Sequence, residues 1–273
     1  MMASAILDRG RGDERTVLLT DDQIAAFIAD GFVKVEAAFA PEVAAAGRAI
    51  LWKASGCDPD DPATWTQPVI RLGEQTEAPF AQAATAPALR EAFDQLVGPG
   101  RWLPRNSLGT FPIRFPSRKS PGDDGWHIDV SFPGDEPLDY MRWRVNVQSK
   151  GRALLMLFLF SDIEDEDAPT RIRVGSHLRL PKLLQPFGTA GAMLGQLTMD
   201  RSTADLRQVL ATGRAGDVYL CHPFLVHAAQ PHHGRNPRFL AQPPLLLREP
   251  CVLDRADGAY SPVEQAIRQG LAA

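Results

Sequence analysis

Several features that mark other classes of protein are scarce in this chain of 273 residues. It has only 3 cysteines, Cys57, Cys221 and Cys251, without metal-binding spacing, so we expect reduced thiols rather than a disulfide framework. No apolar run approaches the roughly 18 residues that a membrane helix needs. Acidic residues outnumber basic ones, 33 to 29, and no block of lysine or arginine indicates a nucleic-acid or membrane partner.

Motifs of several enzyme classes are also missing from the sequence. There is no Gly-x-Ser-x-Gly elbow, no His-Glu-x-x-His helix, no Walker loop and no Gly-x-Gly-x-x-Gly turn. Charged residues within positions 8–14 would interrupt the core of a signal peptide. We therefore expect a cytoplasmic protein that acts on a small molecule, while its oligomeric state is not predicted.

The sequence pattern changes along the chain from one that predicts helices to one that predicts short strands. No linker or repeat divides the chain, so we predict one domain spanning 1–273. Its predicted parts are a flexible tail (1–15), a helical amino-terminal part (16–100), a β-rich core (101–250) and a carboxy-terminal helix (251–273). Ser261 and Glu264 form a capping box with proline between them, which predicts the start of that last helix.

Local patterns predict the individual helices and strands. Helices are predicted at 21–30, 41–52 and 87–97, with two more inside an insertion at 181–184 and 204–210. Strands are predicted at 32–35, 107–114, 125–132, 143–147, 152–160, 170–174, 217–220, 226–229 and 239–247. Many short strands separated by glycine and proline are typical of a sandwich or a jelly roll, so the fold class is predicted as mainly β with flanking helices.

His127 and Asp129 carry the strongest chemical indication in the sequence. Two positions apart on a strand, they point to one face, while Trp126, Ile128 and Val130 point to the other. Placing a carboxylate inside a barrel is costly unless a cation or hydrogen bonds compensate it, and a divalent metal would do so. By itself the His-x-Asp spacing occurs once by chance in a chain of this composition, so a surface hairpin is the alternative.

A distant histidine would complete a facial triad, the ligand set of non-haem Fe(II) oxygenases. His227 lies at the start of the predicted strand 226–229. His222 competes with it as a ligand, although Pro223 restricts the backbone there and favours a structural role for His222. Arg238 lies 11 positions after His227, which is compatible with a neighbouring antiparallel strand. Its planar guanidinium could bind the far carboxylate of a 2-oxo acid.

The remaining histidines and charges favour ordinary roles. His177 is predicted in a turn, His232 and His233 in a solvated loop, and the acids of 162–167 in an exposed loop. A further group flanks the metal strand and either frames a substrate or is solvated: Arg118, Lys119, Arg142, Trp143 and Arg144.

Taken in order, these segments resemble the phytanoyl-CoA dioxygenase family of Fe(II)- and 2-oxoglutarate-dependent oxygenases. The matching segments are 19–33 with its Asp-Gly-Phe turn, 125–129 with the metal motif, 168–177 ending in Gly-Ser-His, and 216–238. Val174 replaces the proline that the family has before Gly-Ser-His, which affects a turn and no catalytic position.

The resemblance implies a double-stranded β-helix, that is, a cupin-like jelly roll. It implies that His127, Asp129 and His227 bind iron, that Arg238 holds 2-oxoglutarate, and that Arg114 lies near this cosubstrate. The implied reaction uses O2, hydroxylates a C–H bond of a small organic substrate, and releases succinate and CO2. Halogenating relatives lack the carboxylate ligand, so Asp129 favours hydroxylation. Two alternatives remain: a non-catalytic jelly-roll binding protein, and a metal-dependent cupin-like enzyme that does not use 2-oxoglutarate.

Overall fold

The computed structural model describes residues 19–273, and the predicted flexible tail at 1–15 lies outside this range. Within the described residues, no helix combines the length and apolar character needed to cross a bilayer. The amino-terminal helix begins as predicted, with Thr20 accepting a hydrogen bond from the Gln23 amide and Gln23 bonding back to Thr20. It ends at Gly31, whose φ of 91° is in the left-handed region that favours glycine.

Seven α-helices occur in the described part of the chain. They are α1 (Asp21–Asp30), α2 (Pro41–Ser55), α3 (Ala78–Ala84), α4 (Pro87–Val97), α5 (Leu180–Leu184), α6 (Met199–Ser202) and α7 (Pro262–Ala272). Proline occupies the first turn of α2, α4 and α7, where its missing amide hydrogen is not needed. The capping box predicted for α7 is present, since Ser261 and Glu264 bond to each other's backbone amides.

Eleven strands form antiparallel sheets in the same residues. They are β1 (Phe32–Val35), β2 (Val69–Leu72), β3 (Trp102–Leu103), β4 (Phe111–Arg114), β5 (Leu154–Leu159), β6 (Arg171–Arg173), β7 (Gln208–Leu210), β8 (Val218–Cys221), β9 (His227–Ala228), β10 (Leu240–Ala241) and β11 (Pro244–Leu247). The largest sheet has the order β1-β8-β5-β11-β3, with β10 also paired to β5. A smaller sheet has the order β7-β6-β9, and β2 pairs with β4.

The buried core explains why β5 lies at the centre of the largest sheet. All six of its residues are buried, and it pairs with β8, β10 and β11. Strands that are covered on both faces read as continuous apolar runs, as the sequence of β5 does. Phe80 and Phe111 pack against Phe160, which joins the helical part to the sheets.

The predicted strand 32–35 is present as predicted, and most of the other predicted strands are shorter in the structure. The predictions of strands at 125–132 and 143–147 were wrong, because these segments make only isolated bridges, to His227, to each other and to Ala192. The predicted strand 239–247 is broken into β10 and β11, with Pro243 between them lacking a backbone donor. As a result helix makes up 32% of the structure and strand 18%, although the prediction was mainly β.

The prediction of a helix at 204–210 was wrong. The helix in this region is α6, and Gln208–Leu210 is instead the edge strand β7, paired with Arg171–Arg173. The segment Gln208–Leu210 has only a weak helical pattern, and pairing with a neighbouring strand outweighs it. Strand preference depends on the side chains and strands that a segment packs against.

Candidate metal centre

Backbone pairing brings the three predicted metal ligands together. His127 and His227 are directly opposed, and they exchange two backbone hydrogen bonds of 3.0 and 2.9 Å. Their side chains therefore extend from the same face, with ring centroids 4.4 Å apart. Asp129, two residues further along, points to the same side. One ligand atom from each of the three residues lies within 4.8 Å of the others.

Each imidazole is held in the orientation that a metal ligand needs. His127 Nδ1 lies 2.8 Å from the Gly125 carbonyl oxygen, and His227 Nδ1 lies 3.0 Å from that of Leu225. A neutral ring that donates through Nδ1 leaves the lone pair of Nε2 free to bind a metal. Burial, followed by the neighbouring His127, lowers the pKa of His227 to about 4, so this ring is neutral at pH 7.

Asp129 offers one oxygen to this cluster and uses the other elsewhere. Its Oδ1 lies 3.9 Å from His127 Nε2 and 4.0 Å from His227 Nε2, while its Oδ2 accepts a 2.9 Å hydrogen bond from Arg152. Burial acts to raise the pKa of the carboxyl, but the neighbouring positive charge, chiefly that of Arg152, outweighs it and leaves this pKa below its ordinary value. Asp129 is therefore ionised at neutral pH, as a metal ligand must be.

Arg114 and Arg238 form a second cross-strand pair beside the triad. Their backbones exchange hydrogen bonds of 3.1 and 2.8 Å, and both side chains are buried. Arg238 donates to the carbonyl oxygens of Ala168 and Pro112 at 2.7 and 3.3 Å. Burial, and then the adjacent Arg114, lowers the pKa of Arg238 below its ordinary value. Two neighbouring guanidinium groups of like charge favour an anion as their common partner.

Several donors of these two arginines have no partner among residues 19–273. They are Nε and Nη1 of Arg114 and Nε of Arg238. The remaining nitrogen of Arg114, Nη2, bonds to both carboxylate oxygens of Asp123 at 2.8 Å, and Asp123 also bonds to Arg71. Buried donors are normally satisfied, so these unpaired N–H groups favour an acceptor that residues 19–273 do not provide.

A cavity of about 770 Å³ reaches the triad and one arginine of the second pair. The three triad residues, Arg152 and Arg114 line it, whereas Arg238 does not. Another part of the lining consists of apolar and aromatic side chains together with one amide: Pro112, Tyr140, Met141, Trp143, Gln242, Pro244 and Leu246. A volume of this size is typical of sites for small organic molecules.

Comparison with known proteins agrees with this geometry. The sequence profile of the family described as phytanoyl-CoA dioxygenase (PhyH) matches residues 27–240. The chain belongs to this family. A search among curated proteins gave no significant match.

Solved structures share the fold at low sequence identity. SnoK, titled a non-heme alpha-ketoglutarate-dependent carbocyclase from nogalamycin biosynthesis, has a TM-score of 0.57 at 18% identity, covering 88% of this chain and 89% of its own. The epimerase SnoN, solved with Fe3+, alpha-ketoglutarate and nogalamycin RO, has a TM-score of 0.58 at 17% identity, with coverages of 83% and 82%. HygX from Streptomyces hygroscopicus, solved with nickel and 2-oxoglutarate, has a TM-score of 0.55 at 19% identity, with coverages of 82% and 85%.

The other histidines lie outside the triad. His222 is buried against His177, with ring centroids 4.8 Å apart, and its Nδ1 accepts from the Phe224 amide, which agrees with a structural role. His177 is in a turn, as predicted, and is fully buried. The prediction that His232 is solvated was wrong: it is 4% exposed, because its ring bonds to the Asn236 carbonyl and lies near Asp167. His233 is exposed as predicted.

Of the predicted flanking group, only Trp143 lines the cavity. Arg142 pairs with Glu136 and Arg144 with Asp135, while Arg118 and Lys119 are exposed. The loop 162–167 is mostly exposed, but Asp167 is buried and accepts a hydrogen bond from the Glu164 amide.

Sequence analysis missed Arg152, which contacts Asp129. No spacing rule connects a residue at the start of β5 with a carboxylate 23 positions earlier. The turn residues Ser149, Lys150 and Gly151 were the only local indication that the chain bends at this point.

Proposed function

We propose that the protein is an Fe(II)- and 2-oxoglutarate-dependent oxygenase that hydroxylates a C–H bond of a small organic substrate. The observation that carries this proposal is the convergence of His127, Asp129 and His227 within 4.8 Å, next to two buried arginines with unused donors. Membership of the phytanoyl-CoA dioxygenase family supports it. The antiparallel sheets that hold the two cross-strand pairs would then be the walls of a jelly-roll core.

The donor set fits ferrous iron. Two imidazole nitrogens and one carboxylate oxygen make a facial triad, which leaves the opposite face of the metal open to exogenous ligands. When bound, the iron and 2-oxoglutarate would supply the oxidising chemistry, using O2 and releasing succinate and CO2. The contribution of His127, Asp129 and His227 is to fix the metal beside the cavity.

The arginine pair fits the distal carboxylate of 2-oxoglutarate. This group is an anion with several lone pairs, and Arg114 and Arg238 have three unused N–H donors next to the triad. Arg114 lines the cavity, and the fully buried Arg238 is its cross-strand partner. We therefore assign Arg238 the charge that holds the cosubstrate and Arg114 a second donor to the same carboxylate.

The rest of the cavity is left for the substrate. Tyr140, Met141 and Trp143 give this region an apolar and aromatic character, and Gln242 adds an amide that can hydrogen-bond. These side chains would orient the substrate and exclude water from the iron. Abstraction of hydrogen from carbon needs no acid or base from the protein, and we assign no such role to any residue.

The direct test is succinate formation from 2-oxoglutarate by purified protein with ferrous iron, O2 and a panel of small molecules. We expect stimulated turnover with a true substrate, and none in His127→Ala or Asp129→Ala. Full turnover in these variants would refute the metal assignment. A metal-dependent reaction that proceeds without 2-oxoglutarate would favour the cupin-like alternative, and ligand binding without turnover would favour the non-catalytic one.

A further inference from the structure

Arg152 has an unusual position relative to the candidate metal site. Its Nη1 donates to Asp129 Oδ2 at 2.9 Å, and its Nη2 donates to the Val130 carbonyl oxygen, also at 2.9 Å. The guanidinium therefore bonds both to the side chain of Asp129, a predicted metal ligand, and to the backbone of Val130. Arg152 is 6% exposed, and it lines the cavity together with Asp129.

The contact leaves the two oxygens of Asp129 in different environments. Oδ1 faces the histidine nitrogens at 3.9 and 4.0 Å, while Oδ2 is engaged by Arg152 on the other side. A carboxylate held in this way presents one oxygen to a metal between the three residues. Rotation that presented both oxygens would break the bond to Arg152 and leave a buried charge unpaired.

The turn before Arg152 is built to bring it to this place. Ser149 Oγ donates to the Arg152 carbonyl at 2.8 Å, and the Arg152 amide donates to the Ser149 carbonyl at 3.1 Å. Asn146 accepts from the Lys150 amide at 3.0 Å. Gly151 has a φ of 87°, and a Cβ there would lie 2.5 Å from the Ser131 carbonyl oxygen, so only glycine lets the turn approach the metal strand this closely.

We propose that Arg152 is a positioning residue that fixes Asp129 as a one-oxygen ligand of the metal. This inference rests on the proposed function. Its consequence is that three positions on the metal stay open, as many as two 2-oxoglutarate oxygens and O2 require. Partners of metal ligands orient them and typically change metal affinity or activity by 10- to 100-fold when they are removed.

The test compares Arg152→Met and Arg152→Lys with the unaltered protein by titration with Co(II), which reports ligand geometry through its visible absorption. We expect Arg152→Met to bind Co(II) roughly 10- to 100-fold more weakly, with an altered spectrum. Arg152→Lys keeps the charge but lacks the planar fork that spans Asp129 Oδ2 and the Val130 carbonyl oxygen, so we expect partial rescue. Arg101→Met is the control, because Arg101 is partly buried, bonds to the buried carboxylate of Glu264 and contacts no residue of the triad.

The control separates positioning from folding. Both arginine-to-methionine variants are expected to unfold at lower temperature, but only Arg152→Met is expected to change the Co(II) spectrum. Unaltered affinity and spectrum in Arg152→Met, or in Arg152→Lys if the former does not fold, would overturn the positioning role. Absence of Co(II) binding by the unaltered protein would instead refute the proposed function, and this inference with it.

Discussion

Replacement of Arg238 by methionine is expected to weaken 2-oxoglutarate binding strongly. Arg238 is buried, and its Nε has no partner among the described residues, so this nitrogen can donate to a bound anion. Truncating one partner of a buried, hydrogen-bonded charge pair reduces binding by about 2–5 kcal/mol. At about 1.4 kcal/mol per tenfold, this corresponds to an affinity loss of roughly 30-fold to several thousand-fold.

The same loss is expected in ligand-induced stabilisation. At a 2-oxoglutarate concentration of about 100 times its Kd, binding stabilises the metal-loaded protein by about 2.7 kcal/mol. If Kd rises about 30-fold, the same concentration gives only about 0.9 kcal/mol by the same relation. For a chain of this size the melting-temperature gain would fall from about 5–11 °C to about 2–4 °C.

Calorimetric titration of Co(II)-loaded protein with 2-oxoglutarate measures the affinity, and thermal unfolding with and without 2-oxoglutarate measures the stabilisation. Arg118→Met is the matched control, because Arg118 is exposed and does not line the cavity. Arg238 also donates to the Ala168 and Pro112 carbonyls, so the ligand-free melting temperature must be measured for each variant. An unchanged Kd in a folded Arg238→Met protein would refute the role of Arg238.

Three further predictions concern stability. Burial lowers the pKa of His177 from an ordinary 6.5 to about 4. The stability that depends on the neutral ring is therefore complete above pH 6.5 and is lost as the pH falls toward 4, by about 3 kcal/mol in total. Urea unfolding at pH 7.5 and 4.5 should show this loss, and a His177→Gln variant with the same pH dependence would contradict it. Ile267→Ala in α7 removes a fully buried side chain and should lower the unfolding free energy by about 2–5 kcal/mol in urea titration. Gly216→Ala should lower the melting temperature more than Gly100→Ala, because both have positive φ but only the first would press a Cβ against the Phe39 carbonyl; equal effects would show that the contact is unimportant.

The site could be predicted from sequence where its geometry follows from local rules. His127 and Asp129 share a face because alternate residues on an extended chain do so. The eleven-residue step from His227 to Arg238 predicted neighbouring antiparallel strands, and this was wrong. His227 is paired with His127 and Ile172, whereas Arg238 is paired with Arg114. Both cross-strand pairs, His127 with His227 and Arg114 with Arg238, lie on extended backbone in which few neighbouring residues are hydrogen-bonded to the partner segment.

The parts that could not be predicted depend on contacts between distant segments. Arg152 reaches Asp129 only because the turn at Gly151 packs against Ser131, and no periodicity describes that approach. His232 looked like a solvated loop residue, yet the chain around Asp167 covers it. The strand Gln208–Leu210 was taken for helix because its pairing partner lies about 35 positions earlier in the sequence.

The most direct measurement is the position of iron in crystals grown without oxygen in the presence of Fe(II) and 2-oxoglutarate. Anomalous scattering at the iron edge should give a single peak bonded to Nε2 of His127, Oδ1 of Asp129 and Nε2 of His227. Bond lengths of about 2.0–2.2 Å are expected, by analogy with nitrogen and oxygen ligands of zinc. Iron bound elsewhere, or no iron at these three atoms under saturating metal, would contradict the account.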